Sequence, residues 1–228
     1  MSSVLDREMY SEAEAARLLR VRQSTLHYWL EGGQARGKSY KPILRDKPRG
    51  SRTVTWAEFV EAGFLREYRQ KHKVPMAELR KFIELLRQEF DVPYPLADRR
   101  PFVVSGRRLA YDAQTAAGLG VDFWMVTVAD DQLMLTTPAD SFSQRVDWVD
   151  DTAVGYRPDA NLESPVRVKP DVRFGKPSIN GVSTEVISEQ HDAGEDRDAI
   201  SEMYALTRAD VDWALAYEFS VRAANHAA

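Results

Sequence analysis

The sequence predicts a mainly helical α+β fold in three parts: a helical head, a β-rich middle and a helical tail. Two regions of the 228 residues, one before Pro93 and one after Pro165, carry apolar residues at three- and four-residue steps. Between them, short runs of β-branched and aromatic residues alternate with turn residues, a pattern typical of strands. We expect domains at 1–92, 93–165 and 166–228.

The head opens with two short helices separated by a tight turn. Ser11 followed three residues later by Glu14 is a capping box, which predicts that a helix begins here. A second helix is expected over Ser24–Leu30, and the two fit a helix-turn-helix. The apolar residues of the second helix, which we expect to face the core, are Leu26, Trp29 and Leu30.

A basic stretch follows the second helix. Pro42–Arg45 and Thr53–Thr55 are expected to pair as a hairpin, because the residues between them have turn composition. Such a hairpin is the wing of a winged helix-turn-helix. Between residues 20 and 52, nine cations face two acids. The cations are Arg20, Arg22, Arg36, Lys38, Lys41, Arg45, Lys47, Arg49 and Arg52.

Two longer helices complete the head. Trp56–His72 has an apolar face that favours core packing of Trp56 and Phe59 over a role in stacking on bases. Met76–Phe90 carries a continuous apolar stripe, which is either part of the core or the seam of a dimer. Because a two-fold dimer reads duplex DNA well, we expect the dimer.

The middle and the tail differ in their pattern. The tail contains three helical stretches, and Thr207 followed by Asp210 caps the last of them, so a three-helix bundle is expected. The tail helices are expected at 182–193, 196–204 and from 207 onward. The middle strands are expected at 102–104, 108–111, 124–128, 132–135 and 154–157.

The net charge of −4 is the sum of two unlike parts. Residues 1–110 hold 22 Lys and Arg against 14 Asp and Glu, a net charge of +8. The remaining residues hold 9 against 21, a net charge of −12. This asymmetry indicates a basic module that meets nucleic acid and an acidic part with another task, such as binding a basic partner.

Several functional classes are disfavoured by composition. The chain has no Cys, which excludes disulfides, thiolate nucleophiles and Cys-ligated metals, and its four His are far apart. Acid pairs such as Asp130-Asp131 are more typical of solvated turns than of Mg²⁺ ligands. We expect no catalytic residues, no metal and no cofactor. Without a signal-peptide core or a spanning segment, we expect a cytoplasmic protein that makes no membrane contact.

The outward face of the second helix holds the candidates for base recognition. Glutamine can bond to adenine through two hydrogen bonds, and the neighbouring cations can contact phosphates, although such a charged stretch can also be a solvated loop. Its position beside a helix-turn-helix favours DNA. The candidates are Gln23, Ser24, Thr25, His27 and Tyr28, with Arg22 and the other cations on the phosphates.

The head resembles the MerR-type winged helix-turn-helix. The segment 15–21, Ala-Ala-Arg-Leu-Leu-Arg-Val, leads into Ser-Thr-Leu-His-Tyr-Trp at 24–29, as the opening of that family does. Two positions depart from the pattern. Arg20 stands where Gly is usual, and Arg22 stands where a capping Ser is usual.

The tail resembles a domain-of-unknown-function antitoxin family over residues 166–217. The segment Pro170–Gly181, with the sequence Pro-Asp-Val-Arg-Phe-Gly-Lys-Pro-Ser-Ile-Asn-Gly, is similar to its opening signature. The similarity continues through Ala205–Val211 and Ala214–Tyr217. Val182-Ser183-Thr184 departs from the pattern, because an Arg-x-Pro-like stretch is common there.

Together, the two resemblances are those of a VapB-like type II antitoxin of the mycobacterial type. They imply a cognate PIN-domain ribonuclease toxin, a double-stranded DNA operator and a homodimer. Arg173 and Lys176 are candidates for toxin contact, although the same segment can simply be a turn before a helix. Two other functions remain open: a stand-alone MerR-like regulator that senses a small ligand, and a small metal-dependent enzyme with a DNA-binding head.

Overall fold

The described residues of the computed structural model are 3–35, 38–71 and 76–226. They form a mixed fold of nine α-helices and five two-stranded antiparallel sheets, joined by short 3-10 turns. A mixed fold dominated by helices was expected, and the distribution of strands within it differs from the prediction.

The head pairs strands that are far apart in the sequence. Strand β1 lies antiparallel to β4, with Tyr10 opposite Val54. The predicted hairpin between Pro42–Arg45 and Thr53–Thr55 is therefore wrong, because β4 takes β1 as its partner and residues 41–52 form a loop without strands. The head elements are β1 (Glu8–Ser11), α1 (Glu12–Leu18), α2 (Gln23–Glu31), β2 (Gly33–Ala35), β3 (Lys38–Tyr40), β4 (Thr53–Thr55), α3 (Trp56–Lys71) and α4 (Met76–Phe90).

The middle contains more helix than the sequence predicted. Residues 108–111, expected as a strand, belong to helix α5, and of residues 102–104 Phe102 and Val104 lie in two separate 3-10 turns. The helix forms because Ala110, Ala113, Gln114 and Ala117 recur at helical spacing and are all buried. The middle elements are α5 (Arg107–Ala117), β5 (Val126–Ala129), β6 (Gln132–Leu135), α6 (Thr137–Arg145), β7 (Val146–Val149) and β8 (Thr152–Tyr156).

Head and middle share one hydrophobic core. The indole of Trp56 in α3 donates a hydrogen bond of 2.7 Å to the carbonyl of Ala153 in β8. The ring of Phe64 meets those of Phe102 and Phe142 edge-on, with centroids 5.9 and 5.1 Å away. Such pairs add to the stability that buried area already provides. The expected boundary at residue 92 thus lies within one packed core.

Helix α4 buries its apolar stripe inside the chain. Leu79, Phe82, Ile83 and Leu86 are at most 1% exposed, and α4 packs on α5. The prediction that this face of α4 forms a dimer seam is therefore wrong, because helix α5 of the same chain covers it.

The tail has a second, smaller core. Ile187, Ile200, Val211 and Leu215 pack together within it. The predicted three-helix tail is present, and Thr207 Oγ1 accepts a hydrogen bond of 3.1 Å from the amide of Asp210, as its cap requires. The tail elements are β9 (Ser178–Ile179), β10 (Val182–Ser183), α7 (Thr184–Asp192), α8 (Arg197–Tyr204) and α9 (Arg208–His226).

The tail docks directly on the head. The buried hydroxyl of Tyr10 in β1 donates a 2.8 Å hydrogen bond to the carbonyl of Gly175. At the other end of α1, Arg20 Nη2 donates to Ser220 Oγ of α9 at 2.7 Å, and the guanidinium lies 5.7 Å from the ring centre of Tyr217. The first helix of the head is thus fixed at both ends by the tail.

Among the described residues, none of the helices is long and apolar enough to cross a membrane.

One buried acid of α3 has an unusual environment. Glu61 is fully buried, and its Oε1 accepts a 3.1 Å hydrogen bond from the amide of Leu96, while Arg87 Nη2 lies 3.9 Å from its Oε2. Burial raises the pKa of Glu61 to about 7, against the opposing effect of the Arg87 charge.

We predict that Glu61 makes the chain less stable as pH rises. In the unfolded chain this carboxyl ionises near its ordinary pKa of 4.5, whereas in the fold it holds its proton to about 7. Its contribution to stability is fully present below pH 4.5 and is lost as pH rises through 7, by about 3 kcal/mol in total. Replacing Glu61 with Gln keeps the acceptor for Leu96 and removes the titration.

Urea unfolding at several pH values between 4.5 and 8 measures this effect. The difference in unfolding free energy between Glu61→Gln and wild type should grow in favour of the variant as pH rises. The control is Glu84→Gln, because Glu84 is an exposed acid of α4. A constant difference for Glu61→Gln across this range contradicts the assignment.

Candidate nucleic-acid interface

The turn between α1 and α2 is built on a left-handed arginine. Ser11 caps α1 by accepting a 3.2 Å hydrogen bond from the amide of Glu14. The helix ends at Leu18, and Arg20 then adopts a φ of 51°, so Arg at the usual Gly position still makes the turn. The amide of Val21 bonds to the carbonyl of Ala16 at 3.0 Å and closes the turn.

Helix α2 has one buried and one exposed face. Leu26, Trp29 and Leu30 are at most 1% exposed, as their spacing predicted. Among the base-recognition candidates, Gln23, Ser24 and His27 are exposed, and Thr25 and Tyr28 are partly buried. Arg22, just before the helix, is exposed. The polar side chains at the N-terminal end of α2 therefore form one solvent-facing surface.

A recess of about 360 Å³ lies at this surface. It is lined by Glu12, Gln23, Ser24, His27 and Arg52. The carboxylate of Glu12 is buried, and its two oxygens lie 3.0 and 3.1 Å from Nδ1 of His27. This contact fixes the imidazole on the exposed face, with about half of its surface open to solvent. The recess brings four of the predicted DNA-binding residues together.

The loop 41–52 is held beside α2 by a buried ion cluster. Nε and Nη2 of Arg45 donate to the two oxygens of Glu58 at 2.8 and 3.0 Å, and Nη1 donates to Glu31 at the end of α2. Glu31 also accepts hydrogen bonds from the amides of Arg49 and Gly50 at 3.0 and 2.9 Å. Burial alone would lower the pKa of Arg45, but the hydrogen bonds and charges of its two acids raise it.

Glu58 itself is placed by the start of α3. Its Oε2 accepts a 2.9 Å hydrogen bond from the amide of Thr55, while the hydroxyl of Thr55 accepts one of 3.3 Å from the amide of Glu58. These two reciprocal hydrogen bonds form a capping box at the start of α3. The cap and the ion cluster therefore share one carboxylate.

Two of the predicted DNA-binding arginines are engaged inside the chain. The side chain of Arg45 is 1% exposed, so its guanidinium cannot reach a phosphate without breaking the ion cluster. Arg20 is partly buried and bonds to the tail. We remove both from the set of candidate DNA contacts.

The remaining cations differ in their placement. Arg49 is about half exposed and also lies 3.1 Å from Glu58. Lys38 belongs to β3, and Arg36 lies outside the described residues. The cations that present an exposed side chain around α2 and the loop are Arg22, Lys41, Lys47, Arg49 and Arg52.

The two candidates for toxin contact lie in the turn before β9. Arg173 Nε donates to the carbonyl of Gly181 at 2.6 Å. Lys176 Nζ bonds to Glu185 at 2.8 Å, and this hydrogen bond raises the pKa of the amine. Both side chains therefore also stabilise the turn itself, as expected if the segment is simply a turn before a helix.

Three acids that organise the interface were not among the residues predicted from the sequence. Glu12, Glu31 and Glu58 fix His27, the loop and Arg45, respectively. Only Glu58 had a local signal, because it stands three residues after Thr55. Among residues 3–35, 38–71 and 76–226, no cluster of three or more His, Asp or Glu residues could hold a metal ion.

Comparisons with known proteins connect the chain to mycobacterial proteins. Residues 166–217 match the family described as a protein of unknown function (DUF433). Over 99% of its length the chain is 32% identical to an uncharacterized protein, Rv2308 of Mycobacterium tuberculosis, of which it covers 96%. The crystal structure of Rv2018 from the same organism has this fold, with a TM-score of 0.73, 22% identity, and coverage of 92% of this chain and 99% of that one.

We predict that Arg45 serves stability. Replacing Arg45 with Met leaves the carboxylates of Glu58 and Glu31 without their buried cation, which should cost about 3–5 kcal/mol of unfolding free energy. The exposed Arg52, replaced in the same way, should change it by less than about 0.5 kcal/mol. Chemical denaturation at neutral pH compares the two variants. Equal stability of Arg45→Met and Arg52→Met contradicts the cluster's role.

Proposed function

The chain belongs to the same family as the uncharacterized protein Rv2308 of Mycobacterium tuberculosis, and we propose that it is a DNA-binding antitoxin acting in the cytoplasm. Its head represses its own operon, and its tail holds a PIN-domain ribonuclease toxin. The observation that carries the DNA part is the exposed polar end of α2 beside a cationic loop that Arg45 fixes in place.

In this proposal α2 enters the major groove as the recognition helix. Its buried face anchors it in the core, so the helix and the loop move as one rigid unit. Gln23, Ser24 and His27 then face the base edges, with Thr25 and Tyr28 at the margin. The phosphates on either side are contacted by Arg22, Lys41, Lys47, Arg49 and Arg52.

The toxin part of the proposal is supported by the tail and by charge. Residues 166–217, which resemble the antitoxin family, fold around their own core. The net charge of −12 carried by residues 111–228 suits a basic partner surface. Arg173 and Lys176 stand on the exposed side of this tail, where they can pair with acidic groups of the toxin.

A homodimer remains part of the proposal, with a changed interface. Two copies of the head read a two-fold operator more tightly than one copy does. The apolar stripe of α4 is filled by α5, so the dimer has to use another surface.

We predict that the DNA-contacting residues fall into two classes, which differ in how their replacement changes affinity and its salt dependence. Affinity for a duplex carrying the chain's own promoter should fall steeply with salt. Lys47→Ala or Arg52→Ala should weaken binding to all sequences and reduce the salt slope by about one. Gln23→Ala should lower specific affinity by about 5- to 100-fold and leave the slope unchanged.

Fluorescence anisotropy at several salt concentrations measures both quantities. Arg108→Ala is the matched control, because Arg108 is an exposed cation of α5, in the middle of the chain and outside the proposed interface. A flat salt dependence, or an Arg108→Ala variant that loses as much affinity as Arg52→Ala, contradicts the interface.

We also predict a stable complex with the product of the neighbouring reading frame. Co-expression followed by size-exclusion chromatography should give one species containing both chains, and the complex should lack ribonuclease activity that the partner shows alone. A chain that purifies by itself with a bound small molecule supports the ligand-sensing regulator and contradicts the antitoxin.

A further inference from the structure

Phe174 is exposed to an unusual degree. Its relative exposure is 91%, the highest of the exposed large apolar side chains in the described part of the chain. An exposed aromatic ring gains nothing for folding, since the hydrophobic effect stabilises only apolar surface removed from water. Large aromatic residues on a protein surface are instead frequent anchors of protein interfaces.

The backbone that holds Phe174 outward is conformationally strained. Arg173, Phe174 and Gly175 have φ angles of 50°, 55° and 75°, so three consecutive residues adopt the left-handed conformation. Only the glycine takes this conformation without steric penalty. Backbone strain concentrated at an exposed side chain is typical of functional sites.

The turn is fixed on both sides. On the inner side the carbonyl of Gly175 accepts the buried hydrogen bond from Tyr10, and a Cβ at Gly175 would clash with the Tyr10 hydroxyl oxygen. On the outer side Arg173 Nε donates to Gly181 at 2.6 Å, and Arg7 pairs with Asp171. The ring is thus presented by a rigid frame, so a partner does not have to order the loop when it binds.

The surroundings of Phe174 are mixed in charge, with cations in excess. A recess of about 200 Å³ beside the turn is lined by Arg167, Lys169 and Val172, among others, and Asp147 faces its two cations at 3.6 and 3.5 Å. The cations around the turn are Arg7, Arg167, Lys169, Arg173 and Lys176, and the acids are Asp147, Asp171 and Glu185.

We propose that Phe174 is the anchor by which this chain holds its protein partner. The ring inserts into an apolar pocket of a folded protein, and carboxylates at the rim of that pocket meet the cations around the turn. A stacking role on nucleic acid is disfavoured, because the residues proposed to contact DNA lie on α2 and the loop of the head, whereas Phe174 lies in the tail. The inference rests on the proposed function, which makes the partner the toxin encoded beside the chain.

The test compares three variants of the full chain with wild type. Phe174→Asn removes the ring, and it should leave the melting temperature unchanged or higher because Asn adopts left-handed φ angles more readily. Its affinity for the purified product of the neighbouring reading frame should fall at least ten-fold in calorimetric titration. Phe174→Tyr should retain that affinity. Met203→Ala, which truncates another exposed apolar side chain of the tail, should also retain it.

Each other outcome overturns the inference in a distinguishable way. If Phe174→Asn binds the partner as tightly as wild type, the anchor is wrong while the antitoxin assignment stands. If wild type itself forms no complex with the partner, both fail. A loss of DNA affinity in place of partner affinity identifies a base-stacking residue. A shift from dimer to monomer in sedimentation identifies a contact between two copies of this chain.

Discussion

The buried guanidinium of Arg45 is the interaction on which the geometry of the head depends. It joins the end of α2, through Glu31, to the start of α3, through Glu58, and it fixes the loop that carries Lys47, Arg49 and Arg52. A buried charge is tolerated only when it is paired and hydrogen-bonded, so the three elements can adopt only arrangements that keep this network. The buried cation Arg45 thus fixes the position of the exposed cations in the same loop.

A second constraint is the direct contact between head and tail. Tyr10 and Arg20, near the two ends of α1, both bond to the tail, and Tyr10 bonds to the turn that presents Phe174. Helix α1 therefore connects α2, the proposed recognition helix, to the surface proposed to hold the partner. The strained turn and the head are therefore parts of one packed structure, joined by Tyr10 and Arg20.

The sequence predicted the features that local spacing determines. The caps at Ser11 and Thr207 and the buried face of α2 are confirmed, because each depends on residues within one or two helical turns. The sequence-based predictions failed for residues whose structural partners are distant in the sequence. Strand β4 pairs with β1, about 45 residues earlier, and no local sequence pattern indicates this pairing. Counting cations likewise could not separate Arg45, which has acid partners in space, from Arg52, which is exposed.

Hydrogen–deuterium exchange of the full chain, with and without duplex DNA carrying its own promoter, tests the central claim most directly. The first amides of α2, at Gln23 and Ser24, have no partner in the preceding turn of their own helix, and residues 46–50 form an exposed loop. We predict that DNA slows exchange in these two segments and leaves exchange in the β5–β6 hairpin unchanged. Protection confined to the middle or the tail would contradict the assignment of α2 as the recognition helix.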